Sequence, residues 1–132
     1  MAETLVVGTR GDWTSLVVNC YIAINLKRIG HDVALAFDSD ALQAIGEGKF
    51  EPSAFDARIW PMFLENAKKM GFPEGGPLEW IKMVKAAGIH IYTCGGQVDM
   101  RGLRGKLPPE IEPLYPDLLN VLAEAKKVIG GW

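Results

Sequence analysis

The run Gly88-Ile89-His90-Ile91-Tyr92-Thr93-Cys94-Gly95-Gly96-Gln97 decides how this chain folds. Ile89 to Thr93 is dense in β-branched and aromatic residues and follows a glycine able to end a helix, so it reads as a short buried strand. The strand runs into a cysteine. Two glycines come next, with no side chains to cover the thiol and with backbone freedom to turn several N–H groups toward one point. A thiolate formed there would be met by donors.

Upstream, Leu78 to Ala87 carries Trp80, Ile81, Val84 and Ala87 as an apolar stripe, and Gly88 caps it. The same alternation stands at the start of the chain. Thr4-Leu5-Val6-Val7-Gly8 is apolar without alternation, the mark of a strand buried on both faces. Gly8 to Ser15 forms a polar turn in which Asp12, Thr14 or Ser15 supplies the N-cap of a helix running to Ile29. Val18, Ile22, Leu26 and Ile29 follow the i, i+4 and i, i+3 spacing of a helix face and are read as its inner side. Leu16, Val17, Tyr21 and Ile24 widen the apolar surface beyond what one sheet covers, which points to a homo-oligomer, whether dimer, trimer or hexamer. Gly30 stops this helix. His31 to Phe37 then reads as a second strand, completing a βαβ unit with parallel strands.

Asp38, Ser39 and Asp40 offer caps to a short helix from Ala41 to Ile45, and Gly46 to Trp60 reads as a loop. Pro61 suits the first turn of a helix whose Phe63, Ala67 and Met70 share a face. Beyond the cysteine, Gly96 to Glu112 is polar and glycine-rich, then proline-rich, and is expected to be a surface loop with little regular structure. Pro116 and Asp117 begin a last helix with Leu118, Val121, Leu122 and Ala125 on one side. Lys126 to Gly130 follows as a closing strand, and Trp132 is expected to pack on the domain or on a neighbour. The alternation predicts one α/β domain over residues 1–132, with a mostly parallel sheet of four or five strands.

Composition narrows the function classes. Hydrophobic residues make up 48% and charged residues 23%, with no repetitive tract, which excludes a disordered chain. Lys plus Arg number 14 against 16 for Asp plus Glu, a net charge of -2 that offers no basic footprint for nucleic acid or a membrane surface. The longest apolar stretch, Leu16 to Ile29, is broken by Asn19, Asn25, Lys27 and Arg28 and is a poor membrane span. With no secretory leader pattern and no close cysteine pair, a cytoplasmic location is expected.

The two cysteines read differently. A core thiol is the common fate of an intracellular cysteine, and Cys20, about 9 Å into its helix at about 1.5 Å per residue, is read that way. It lies too far from Cys94 for a disulfide. Cys94, at a strand end before Gly-Gly, is read as a nucleophile. Cys94 and Arg101 enclose six residues, one too many for a tyrosine-phosphatase-like phosphate loop, and Asp99 adds an acceptor where phosphate wants donors. Two His and two Cys form no zinc-spaced set, and no cofactor is implied. His90, about 13 Å along the strand at about 3.3 Å per residue, is too far from Cys94 to act as its base and is expected in the core or an interface. His31 is read as structural. The turn holding Gly11 and Asp12 lies near a helix N-terminus and is a candidate anion site, although it matches no dinucleotide or Walker pattern.

Gly88 to Cys94, with Asp99 and Gly102 in a C-x4-D-x2-G arrangement, resembles the DsrE/DsrF-like sulfur-relay family, which includes TusD-type sulfur carriers. The resemblance extends to element order over most of the chain. It implies a flavodoxin-like three-layer sandwich, an oligomer, and a cysteine, here Cys94, that accepts sulfane sulfur from a donor protein or small sulfane-sulfur compound as a persulfide or thiosulfonate and passes it to an acceptor. Leu107 to Pro113 stands where relatives carry a further apolar strand before the last helix, so that strand is expected to be missing. In this reading the N–H groups of Gly95, Gly96 and Gln97 stabilise the thiolate, and Arg101 or Arg104 attracts an anionic donor. Two alternatives remain: a non-catalytic binding or assembly subunit for a small anion or nucleotide at the Gly8 and Gly95 turns, and a redox-sensing thiol that needs a resolving cysteine from another chain.

Overall fold

In the computed structural model, which describes residues 3–51, 54–114 and 118–130 without the side chains of 54–56, strands β1 (Thr4–Gly8) and β2 (Val33–Phe37) lie parallel in register from Thr4↔Val33 to Gly8↔Phe37. Both are apolar and buried, as a strand covered on two faces requires. Helix α1 (Trp13–Arg28) joins them. It starts on Asp12, whose carboxylate accepts from the Ser15 N–H at 3.0 Å. It ends where Gly30 turns to φ +100°, so that the Gly30 and His31 N–H groups bond Lys27 and Leu26 oxygens, a Schellman cap. Gly88, at φ +81°, ends α4 (Pro77–Ala86) by the same bonds to Lys85 and Val84. Each cap turns the chain back into the sheet, the first before β2 and the second before β3 (Ile91–Cys94).

The complete sheet runs β4-β3-β2-β1-β5 with every pairing parallel. One face packs Val6, Leu35, Phe37, Ile91 and Ile111 against α1, α3 (Ala54–Lys69) and α4, with Trp80 and Phe72 stacked at 4.9 Å inside. The other packs Leu5, Ala34 and Ala36 against Leu118 and Val121, the latter on α6 (Leu119–Glu124). Helices therefore cover both faces of an α/β sheet.

Several elements differ from the sequence reading, each for a physical reason. The inner face of α1 is Leu16, Val17, Cys20, Ala23 and Ile24, whereas Val18 and Ile22 are half-buried and Ile29 is 72% exposed. Both stripes have helical spacing, and only the direction of the neighbouring sheet chooses between them. The region expected to be a loop from Gly46 to Trp60 holds the end of α2 (Ser39–Glu47) and the start of α3. Pro61 lies inside α3 and not in its first turn, where it withholds one helical N–H bond. Trp60 and Ala67 are the buried anchors of α3, while Met70 lies beyond its end.

Gly96 to Glu112, expected to be irregular, contains α5 (Gly95–Met100) and the start of β4 (Ile111–Leu114). The strand expected to be missing is thus present. Pro113 sits in it opposite Thr93, at the sheet edge where an absent donor costs least. Strand β5 (Lys127–Ile129) closes the other edge beside β1, as the sequence suggests. Pro116, Asp117 and Trp132 lie outside the described residues.

Candidate functional site

The carboxyl ends of β1, β2 and β3 bring together the Gly8 turn, Asp38 and Ser39, and Cys94 with α5. Cys94 is both the last residue of β3 and the N-cap of α5, half-buried, with an extended backbone and no side-chain bond into the helix. The first-turn N–H groups of α5, those of Gly95, Gly96 and Gln97, therefore have no capping side chain among the described residues. Gly96 is exposed, and a Cβ placed on it would come 3.7 Å from Cys94 Sγ. A side chain there would cover the thiol, and glycine leaves it open.

Gln97 and Arg101 form a polar network. Gln97 Oε1 accepts from the Ser39 N–H at 3.1 Å and from Arg101 Nε at 3.3 Å, and Arg101 donates a second bond to Gln43 Oε1 at 3.3 Å. Ser39, at φ +54°, is the one non-glycine residue in the left-handed region among the described residues, so its strained backbone is held by Gln97. Asp38 stands at its side with Oδ1 shielded and without a hydrogen-bond partner among the described residues. Burial pushes its carboxyl above the usual range, against the Ser39 N–H and the Arg101 charge, which pull it down.

Other candidates are placed differently. Arg104 lies on the surface in a two-pronged bond to Asp99, at 2.8 Å on each prong, so the two conspicuous polar residues of the cysteine segment face each other. Asp12 fills the N-terminus of α1 with its own carboxylate, bonds Ser15 Oγ at 2.8 Å and pairs with Arg10 at 3.2 Å. Gly11 serves packing, since a Cβ there would meet the Asp40 carbonyl oxygen at 2.6 Å. Cys20 is fully buried among apolar residues, burial pushes its thiol up, and neither cysteine is in a disulfide. His90 is not in the core. Its exposed ring stacks on Tyr92 and contacts Glu112 at 2.8 Å, near Lys85.

The sequence reading named Asp38 and Ser39 only as helix caps and missed Gln43. Asp38 follows a strand end as Cys94 closes one, and that shared position was the available signal. Gln43 carried none, because an exposed helix supplies many such residues.

No family model matches the sequence, and no curated protein matches it. Solved structures do. The crystal structure of the ychN protein from E. coli aligns with 99% of this chain and 100% of that one at a TM-score of 0.64 and 19% identity. A conserved protein of unknown function from Bacteroides thetaiotaomicron aligns over 98% and 95% at a TM-score of 0.53 and 14% identity. The fold is DsrE-like and flavodoxin-like. At these identities the likeness speaks for the fold alone. Among the described residues no helix is long and apolar enough to cross a membrane.

Proposed function

We propose that this protein is a cytoplasmic sulfur carrier in which Cys94 accepts sulfane sulfur as a persulfide or thiosulfonate and hands it to a partner. One observation carries the reading: Cys94 joins the end of β3 to the start of α5, half-buried beside an exposed glycine, and its side chain makes no bond to the first N–H groups of α5. Donors of this kind stabilise a thiolate and a persulfide anion without a side-chain partner. The DsrE-like fold supports the same reading. Arg101, held by Gln97 and Gln43, would draw an anionic donor to this edge. Self-association belongs to the proposal, supported by apolar side chains left outside the core, Ile29 at 72% and Met100 at 76% exposure.

The test is intact-protein mass spectrometry after incubation with polysulfide. The wild type gains sulfur, and Cys94→Ser gains none. An adduct that persists in Cys94→Ser, or its absence from the wild type, contradicts the proposal.

A further inference from the structure

Resting on the carrier reading, we infer that Asp38 is the proton acceptor and donor for sulfur transfer at Cys94. Strands β2 and β3 pair Leu35 with Ile91 and Ala36 with Tyr92. The ladder ends there, and the two strands run on to neighbouring carboxyl ends, β2 into Asp38 and β3 into Cys94, where the Ser39 N–H meets Gln97 Oε1 at 3.1 Å. The backbone keeps strand geometry that far: Asp38 is extended, at φ -148° and ψ 175°, and its N–H still bonds the Gly8 oxygen of β1 at 3.0 Å. Alternation then fixes the face. Ala34, Ala36, Tyr92 and Cys94 pack in one cluster, so Asp38, an even step beyond Ala36, projects to the side that carries the thiol.

The carboxyl group is suited to the task. Its Oδ1 is shielded from solvent and has no partner among the described residues, which leaves it available to a proton. Burial raises its carboxyl above the ordinary value, which makes the carboxylate a stronger base. Arg101, the C-cap of α5, is near enough for its charge to pull the carboxyl down, and it is itself tied to Gln97 and Gln43, both neutral. Of the other ionisable groups nearby, Arg10 and Asp12 in the turn after β1 pair with each other, and Asp40 of α2 is exposed.

The step balances. As Cys94 Sγ bonds to the outer sulfur of a persulfide donor, R–S–SH, its proton passes to the Asp38 carboxylate. The S–S bond of the donor breaks, the electron pair leaves on RS⁻, and that thiolate takes the proton back from Asp38. Cys94–SH and R–S–SH become Cys94–S–SH and R–SH with no net oxidation.

The experiment compares rates of persulfide formation in wild type and Asp38→Asn with one small alkyl persulfide across pH. At pH 7 the variant is roughly tenfold slower, less than the full contribution of a general base because water and buffer also accept the proton. The gap narrows as pH rises, because hydroxide takes over as the base in both proteins, a convergence that a misfolded variant would not show. A variant rate at pH 7 equal to or above wild type, the sign expected if Asp38 only repels a thiolate, overturns the inference while leaving Cys94 as carrier. Wild type that forms no persulfide overturns the carrier reading itself.

Discussion

Cys20 and Cys94 are the same chemical group in two environments. Cys20 lies in the body of α1 with no exposure, packed between apolar residues that push its thiol up. A buried thiol with no charge partner stays protonated and inert. Cys94 lies at the end of a strand, half-buried, with an uncapped helix start behind it and a glycine in front. The difference shows that element position, more than residue type, separates a packing cysteine from one that chemistry can reach.

The sharpest way to break this contrast is to make one substitution at both sites. Cys94→Ser abolishes sulfur loading and, being partly solvated, leaves stability nearly unchanged. Cys20→Ser keeps full loading and lowers the unfolding free energy by about 1–3 kcal/mol, because a hydroxyl needs a partner that the apolar core lacks. Chemical denaturation alongside mass spectrometry reads both. Loading lost at Cys20, or stability lost only at Cys94, would reverse the assignment.

A smaller effect tests why Cys94 is open. Gly96 has no positive φ, and an added Cβ would make only ordinary contact with Sγ at 3.7 Å, so larger side chains fit without backbone strain. Gly96→Val slows alkylation of Cys94 by iodoacetamide several-fold while the fold melts as before. An unchanged rate would mean that the glycine does not control access.

The smallest effect concerns Asp38 and pH. Its carboxyl is raised in the folded state, so folding binds that proton more tightly than the unfolded chain does. Stability from this group is greatest below the unfolded carboxylate range and falls as pH rises through the folded value. Asparagine has no charge to desolvate. Asp38→Asn therefore melts slightly above wild type at pH 7, and the two converge near pH 3. A variant that melts lower at pH 7 would show that the attraction of Arg101 outweighs burial.

What the sequence revealed follows the same contrast between clear and context-bound signals. Strands β1 and β2 and helices α1 and α4 were legible because long apolar runs and paired glycine caps state their period and their ends. The face of α1 was not, since two stripes of equal spacing compete until the sheet selects one. Helix α5 escaped because it has six residues and starts on two glycines, too short for a period. Strand β4 escaped because Pro113 argues against a strand except at an edge, and edges are known only from the assembled sheet. At the site, Cys94 was legible from its strand and glycines. Asp38 was not, because its nearness to Cys94 arises from the register of two strands far apart in sequence.

The most direct test loads the protein with polysulfide, removes the excess, adds a small acceptor thiol, and follows sulfur by peptide mapping. Sulfur is expected on the Cys94 peptide alone and leaves it when the acceptor is added. Sulfur on the Cys20 peptide, or a Cys94 adduct that no thiol can discharge, would contradict it.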